Sequence, residues 1–154
     1  MPLPALRVLA NEIAYRQHFI DQYVQAKVVT RDGIRVHFAE HNFDHAFFES
    51  TMRDGSKDTF STIRAQRIDW ISATLLEPSA DWYQGYVKQR KAYDPARSVT
   101  VAYGDFVVVL GFGVRKDKSM KANFITCYEA DNSIGKIRTS PAWTLAGCRI
   151  ALGV

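Results

Sequence analysis

The chain has 154 residues, of which 47% are apolar and 12% are aromatic, and its formal net charge is +4. This length suits one domain with its own core, and the composition excludes an intrinsically disordered protein. The longest apolar run, residues 106–114, is too short to span a bilayer, so we expect no membrane partner. We recognise no signal peptide and therefore expect a cytoplasmic location, while the positive charge favours a polyanion such as RNA.

The first third of the chain predicts helices and a hairpin. Apolar residues at helical spacing predict a helix over residues 6–27. Two short strands, at residues 27–30 and 34–38, flank an Asp-Gly turn and predict a β-hairpin. Asn42 or Asp44 can then cap a short helix that carries three phenylalanines.

The rest of the chain predicts one more helix and then strands. Polar residues 53–59 predict a loop, and residues 61–76 predict a second long helix. Segments rich in β-forming residues predict four strands, at residues 83–92, 98–103, 106–115 and 121–129. Helices followed by such a meander predict an α+β fold, in which N-terminal helices pack on a twisted antiparallel sheet of four or more strands.

Residues 1–154 predict a single domain, because the chain has no internal repeat, low-complexity tract or linker. The tail after Asp131 has no clear pattern. Residues 133–138 could form a short extra element, and residues 145–154 are apolar enough to pack back on the domain.

Two arginines interrupt the apolar face of the second predicted helix. On a helical wheel, Arg64 and Arg67 fall inside that face and not opposite it. A buried guanidinium is costly unless it meets a carboxylate, a backbone carbonyl or a ligand. Glu40, Glu49 or Glu129 could supply an internal ion pair. Two arginines one turn apart also suit a phosphate, whose oxygens match the guanidinium fork.

Three histidines, at positions 37, 41 and 45, are spaced four residues apart. They cannot all share a helical face, since residues 34–38 are predicted as strand. His45 and Glu49 lie at i and i+4 on the predicted short helix and could form a hydrogen bond. His45 is therefore a candidate general acid or base, with an ordinary surface or core histidine as the alternative.

Strict alternation in the last predicted strand places Phe124, Thr126 and Tyr128 on one face, with Lys121 and Cys127 on the other. If the first face meets the helices, the hydroxyls of Thr126 and Tyr128 need partners. They could line a cleft beside the arginines, or form a Thr–Tyr pair of ordinary β propensity.

The two cysteines, Cys127 and Cys148, predict two buried thiols better than a disulfide framework. The four histidines occur in no spacing that is typical of a metal site. We therefore expect neither a metal nor another cofactor.

Four short motifs, in this order, resemble those of a known group of nucleases: VHF at residues 36–38, FDHAFF at 43–48, RAQRIDWI at 64–71 and KANFITCY at 121–128. Over residues 34–130 the chain resembles the phage-encoded branch of the barnase/EndoU/colicin E5–D/RelE (BECR) nuclease superfamily.

The resemblance implies helices packed on a four-stranded antiparallel sheet, and a toxin-type endoribonuclease that needs no metal. Such an enzyme cleaves RNA, possible targets including tRNA, by attack of the 2′-OH to give a cyclic phosphate. An immunity or antitoxin protein is the partner expected with it. The resemblance makes His45 the candidate acid or base, and it makes Arg64 and Arg67 the phosphate-binding residues. It places Lys121, Thr126 and Tyr128 on the sheet side of the site.

Unpaired RNA bases could stack on aromatic residues if Trp82, Tyr83 and Tyr86 are exposed. A different class of function is a non-catalytic phage virion or assembly module that keeps the fold to bind a protein. A third is a regulator that binds nucleic acid through its basic surface alone.

Overall fold

A computed structural model describes residues 3–50 and 58–154 of the chain. Within these residues the helices are α1 (Glu12–Phe19), α2 (Asn42–Phe47), α3 (Thr62–Ala65), α4 (Trp70–Leu76), α5 (Ile134–Ile137) and α6 (Leu145–Leu152), with a π-helical turn at Ile20–Val24. The strands are β1 (Val28–Val29), β2 (Arg35–His37), β3 (Phe48–Glu49), β4 (Thr59–Phe60), β5 (Asp81–Tyr83), β6 (Gly85–Val87), β7 (Ala92–Asp94), β8 (Val99–Tyr103), β9 (Phe106–Val114) and β10 (Met120–Glu129). The predicted α+β class is confirmed.

Six strands form the main sheet, in the order β1-β2-β10-β9-β8-β5. Strands β8, β9 and β10 form the predicted antiparallel meander. The predicted hairpin of β1 and β2 is confirmed, with Gly33 in its turn at a φ of +80° that favours glycine. Strand β2 runs parallel to β10, so the sheet is mixed. Pairs β3–β4 and β6–β7 form two small sheets.

The main core lies between one face of the sheet and helices α1–α4 and α6, whereas α5 packs on the other face. Helix α2 packs on β10, and α4 packs on β1, β8 and β9. Phe19 of α1 is fully buried at the centre of this layer. Its ring lies within 6.3 Å, between centroids, of the rings of Tyr23, Phe38, Phe43, Phe47 and Phe124.

The first predicted helix is shorter than its pattern suggested. Asn11 caps α1, accepting a 2.9 Å hydrogen bond from the N–H of Ala14, so the helix begins only at Glu12. The chain before it lies along the α3–α4 segment, where the N–H of Arg7 donates to the carbonyl of Gln66. Helix α2 has His41 as its N-cap, without a side-chain hydrogen bond, so the predicted cap at Asn42 or Asp44 is wrong.

The second predicted helix is divided into α3 and α4. Ser61 caps α3, and the turn at residues 66–69 separates the two pieces. Carbonyls in that turn bind other partners: Gln66 accepts from Arg7, and Ile68 accepts from the hydroxyl of Tyr23 at 2.6 Å. Tertiary hydrogen bonds therefore replace part of the helical ladder.

Two other segments differ from, or fall outside, their predictions. Residues 83–92 form no single strand, because β5 ends at Tyr83 and the β6–β7 hairpin follows. Of the predicted loop at 53–59, residues 53–57 lie outside the described residues and Thr59 begins β4. The tail forms α5 and α6. None of the described helices is both long and apolar enough to cross a membrane.

Candidate functional site

A concave cleft of about 240 Å³ lies between the α3–α4 segment and the end of β10. We call it the seam cleft. Its polar lining residues are Glu49, Arg64, Arg67, Tyr128, Glu129 and Asp131, and its apolar walls are Ile63, Phe106 and Cys127. Both arginines singled out by the helical wheel therefore border the same cleft.

The two arginines of the seam cleft are held with different strength. Arg64 Nε lies 3.5 Å from Glu49 Oε1, and the two side chains are 34% and 52% exposed. Arg67 donates to the Glu129 carboxylate and to the carbonyl of Ile63. Its guanidinium carbon also lies 5.2 Å from the centre of the Trp70 ring. Arg67 is fixed by three contacts, whereas Arg64 has one loose ion pair.

A β-bulge in β10 overturns the predicted faces of Thr126 and Tyr128. The pairing with β9 shifts between Phe124 and Thr126, so Ile125 is an extra residue in the strand. After the bulge, Cys127 faces the core with Phe124, each of them 3% exposed. Thr126 and Tyr128 consequently lie on the outer face, away from helices α1–α4 and on the side where α5 packs.

Among the described residues, His45, Lys121 and Thr126 do not line the seam cleft. His45 is exposed on α2. Tyr128 borders the cleft, but its side chain packs on the outer face against the cluster of Ala102, Val107 and Ala130. Burial there raises the pKa of the Tyr128 phenol, so its hydroxyl stays protonated near neutral pH.

The outer face of the sheet carries a second and larger cleft, of about 630 Å³, which we call the outer cleft. The β6–β7 hairpin forms one wall with Tyr86 and Tyr93, whose rings lie 5.3 Å apart between centroids. Thr126 and Tyr128 contribute to its lining, together with Lys88, Lys136 and Thr100.

Of the three aromatic residues expected on the surface, Tyr86 is 50% exposed. Trp82 is buried in the core, with its ring 4.8 Å from that of Trp143, so its predicted exposure is wrong. Tyr83 is half-buried and accepts a hydrogen bond from Arg138.

Lys121 belongs to a third group of residues, at the opposite end of β10 from the seam cleft. With Arg35, His37 and Arg115 it forms what we call the basic cluster. His37 and Arg115 are 3.1 Å apart, from Nε2 to Nη2. Burial, and then the charges of Arg115, Arg35 and Lys121, lower the pKa of His37 below its ordinary value.

Sequence reasoning missed Arg35 and Arg115. Arg35 and His37 alternate with the buried Val36 in β2, a pattern that places both on the outer face. Their proximity to Lys121 comes from the parallel pairing of β2 with β10, in which Ala122 lies opposite Val36. Local sequence carries no signal for that pairing.

Both cysteines are free and buried, as predicted. Burial raises the pKa of the Cys127 thiol to about 12 and also raises that of Cys148, so neither is a reactive thiolate at neutral pH. In the described part of the chain, no group of three or more His, Cys, Asp or Glu residues is placed to hold a metal ion.

Comparison of the chain with protein families, with curated proteins and with solved structures found no match in any of the three.

Proposed function

We propose that the chain is a metal-independent endoribonuclease, with the seam cleft as its catalytic site. One observation carries the proposal: two arginines, one in α3 and one in the turn that follows it, border a concave cleft together with carboxylates. Guanidinium groups can stabilise the negative charge that develops on a reacting phosphate, and carboxylates can act as general bases. Both arginines also belong to the motifs by which the chain resembles BECR nucleases.

The reaction we propose needs a base, a fixed cation and an acid. The 2′ oxygen of RNA bonds to phosphorus while the bond from phosphorus to the 5′ oxygen breaks, which leaves a cyclic phosphate. We assign Glu49 as the base that takes the 2′ proton and Arg64 as the cation on the phosphate oxygens. Their loose ion pair can open to admit the phosphate without disturbing the better-held Arg67.

His45 is our candidate for the acid that protonates the 5′ oxygen. An imidazole can donate a proton near neutral pH. Glu49 follows four positions later in the chain, so the Cα atoms of the two residues are at most about 14 Å apart. Tyr86 and Tyr93 in the outer cleft offer exposed rings on which unpaired bases could stack. Structured RNA such as tRNA is the substrate class that we propose, and an antitoxin or immunity protein is the proposed partner.

The test is cleavage of a mixed RNA pool by the purified chain in excess EDTA, with sequencing of the RNA ends. We expect cyclic phosphate ends from the unaltered protein. Arg64→Ala should lower the cleavage rate roughly 100-fold, by the loss of one charged donor to the transition state. Arg149→Ala is the matched control, because Arg149 is exposed on α6 and lines neither cleft.

The outcome that would overturn this proposal is a folded protein that leaves all RNA intact, or cleavage that Arg64→Ala and Glu49→Gln leave unchanged. The first result would instead favour the non-catalytic protein-binding module. Loss of activity in His45→Ala, with normal thermal unfolding, would support its role as the acid. Unchanged activity in that variant would remove only this assignment.

A further inference from the structure

The basic cluster brings together four cationic or titratable side chains from three chain segments. Arg35 and His37 belong to β2, Arg115 follows β9, and Lys121 belongs to β10. Because Ala122 lies opposite Val36 in parallel register, Lys121 is beside Arg35 on the outer face. Lys121 lies over Gly113, where its Cε is 3.5 Å from the position that a Cβ would take.

The guanidinium groups of this cluster have unused hydrogen-bonding capacity. Arg115 can only donate, so Nε2 of His37 must accept its hydrogen bond and the imidazole is neutral. The Nε atom of Arg35 is buried without a hydrogen-bond partner among residues 3–50 and 58–154. Over the same residues, neither arginine has a carboxylate within ion-pair distance.

The acidic residue nearest in sequence to Arg115 has other partners. The carboxylate of Asp117 accepts 3.0 and 2.5 Å hydrogen bonds from the backbone N–H and the hydroxyl of Ser119. Its pKa is lowered by these bonds and, less, by the charge of Arg115. The positive charge of the cluster is therefore only partly balanced.

An open cleft of about 330 Å³ adjoins the cluster, with Lys27, Arg35, Arg115 and Ser119 as its polar lining. One water occupies about 30 Å³ in the liquid, so the cleft has room for a group several times that size, such as a phosphate. Arginine forks bind phosphate oxygens in pairs, and lysine adds a compact positive charge.

We propose that the basic cluster is a binding site for a phosphate group, supplied by a nucleotide or by an RNA chain. Arg35 and Arg115 donate to the phosphate oxygens, and Lys121 contributes charge at the rim. When Arg115 turns to the phosphate, Nε2 of His37 is released and can take up a proton and donate in turn. The site is separate from the seam cleft and requires no catalytic activity, so it does not depend on the proposed ribonuclease function.

The test titrates the full chain with inorganic phosphate, with adenosine monophosphate and with adenosine, observed by NMR and calorimetry at low salt. We expect saturable binding of the two phosphate compounds, shifts centred on Arg115 and His37, and no binding of adenosine. Arg115→Gln should weaken binding at least 10-fold and Lys121→Gln less. Lys116→Gln is the matched control, because it removes the same charge from an exposed residue of the adjoining turn.

Two further arms separate the sources of the phosphate. If an RNA chain supplies it, a short oligoribonucleotide should bind more tightly than the monophosphate and compete with it. If a free nucleotide supplies it, the monophosphate should bind at least as tightly as the oligoribonucleotide. Failure of both phosphate compounds to bind would overturn the proposal, and so would binding that Lys116→Gln weakens as much as Arg115→Gln. Each variant is first compared with the unaltered chain by thermal unfolding, and a double variant of Lys27 and Lys121 repeats the test if Arg115→Gln is unfolded.

Discussion

The seam cleft and the basic cluster each contain two arginines, yet their charges are balanced differently. In the seam cleft Arg64 faces Glu49 and Arg67 faces Glu129. In the basic cluster Arg115 faces a neutral histidine instead. A cation that already has a carboxylate partner must exchange it for a ligand, whereas a cation without one gains a partner on binding. The partners of the arginines therefore distinguish the two sites better than their number does.

The bulge at Ile125 sets the faces at the end of β10, and an insertion in the strand opposite it should have the largest effect. One alanine inserted between Val109 and Leu110 of β9 would give Ile125 a partner and, with regular pairing beyond it, turn Thr126 inward and Cys127 outward. Because this reverses the burial of every later residue in β10, we expect loss of the cooperative thermal transition, observed by circular dichroism. Deletion of Ile125 is the control: Thr126 already lies opposite Val109, so the faces are kept and the transition should remain. An insertion variant that unfolds like the unaltered protein would mean that the bulge does not set the faces.

The next largest effect should separate the two arginines of the seam cleft. Arg67→Ala removes two hydrogen bonds and a contact with Trp70, and should lower the free energy of unfolding by about 2 kcal/mol. Arg64→Ala breaks only a partly exposed pair at 3.5 Å and should cost less than about 1 kcal/mol. Urea denaturation measures both. Equal costs would mean that Arg64 is as much a structural residue as Arg67, and would weaken its assignment to the phosphate.

Much of the fold could be predicted from periodicity, because apolar spacing and turn residues act locally. The hairpin at Gly33 and the strands β8, β9 and β10 follow from such signals. The division of the second helix could not be predicted, since it depends on donors from Arg7 and Tyr23, which are distant in sequence.

For the candidate sites, the helical wheel correctly identified the two arginines that need partners, and Glu49 and Glu129 were among the partners considered. Strand alternation could not place Thr126 and Tyr128, because one inserted residue reverses the alternation without leaving a mark in the sequence pattern. It also could not join Lys121 to Arg35 and His37, since a parallel crossover brings those strands together.

The smallest effect concerns the titration of His37 in the basic cluster. Its pKa should lie below the ordinary value of 6.5, because burial and the nearby cations disfavour the imidazolium. The unfolded chain binds this proton more readily, so the stability that His37 contributes is fully present above pH 6.5 and is lost as the pH falls from there through the lower pKa of the folded state. His41 and His37 lie along one small groove, so the imidazole signals of the two residues must be assigned separately.

An NMR titration of the imidazole protons measures this pKa directly. Arg115→Gln should raise the pKa of His37 towards 6.5 more than Lys121→Gln does, because the charge of Arg115 is the larger influence. In the unaltered protein, addition of inorganic phosphate should raise the pKa of His37 above its value without phosphate, since a bound anion stabilises the imidazolium. A midpoint at or above 6.5 in the free protein would mean that the cations of the cluster are balanced after all. In that case the contrast with the seam cleft would be lost.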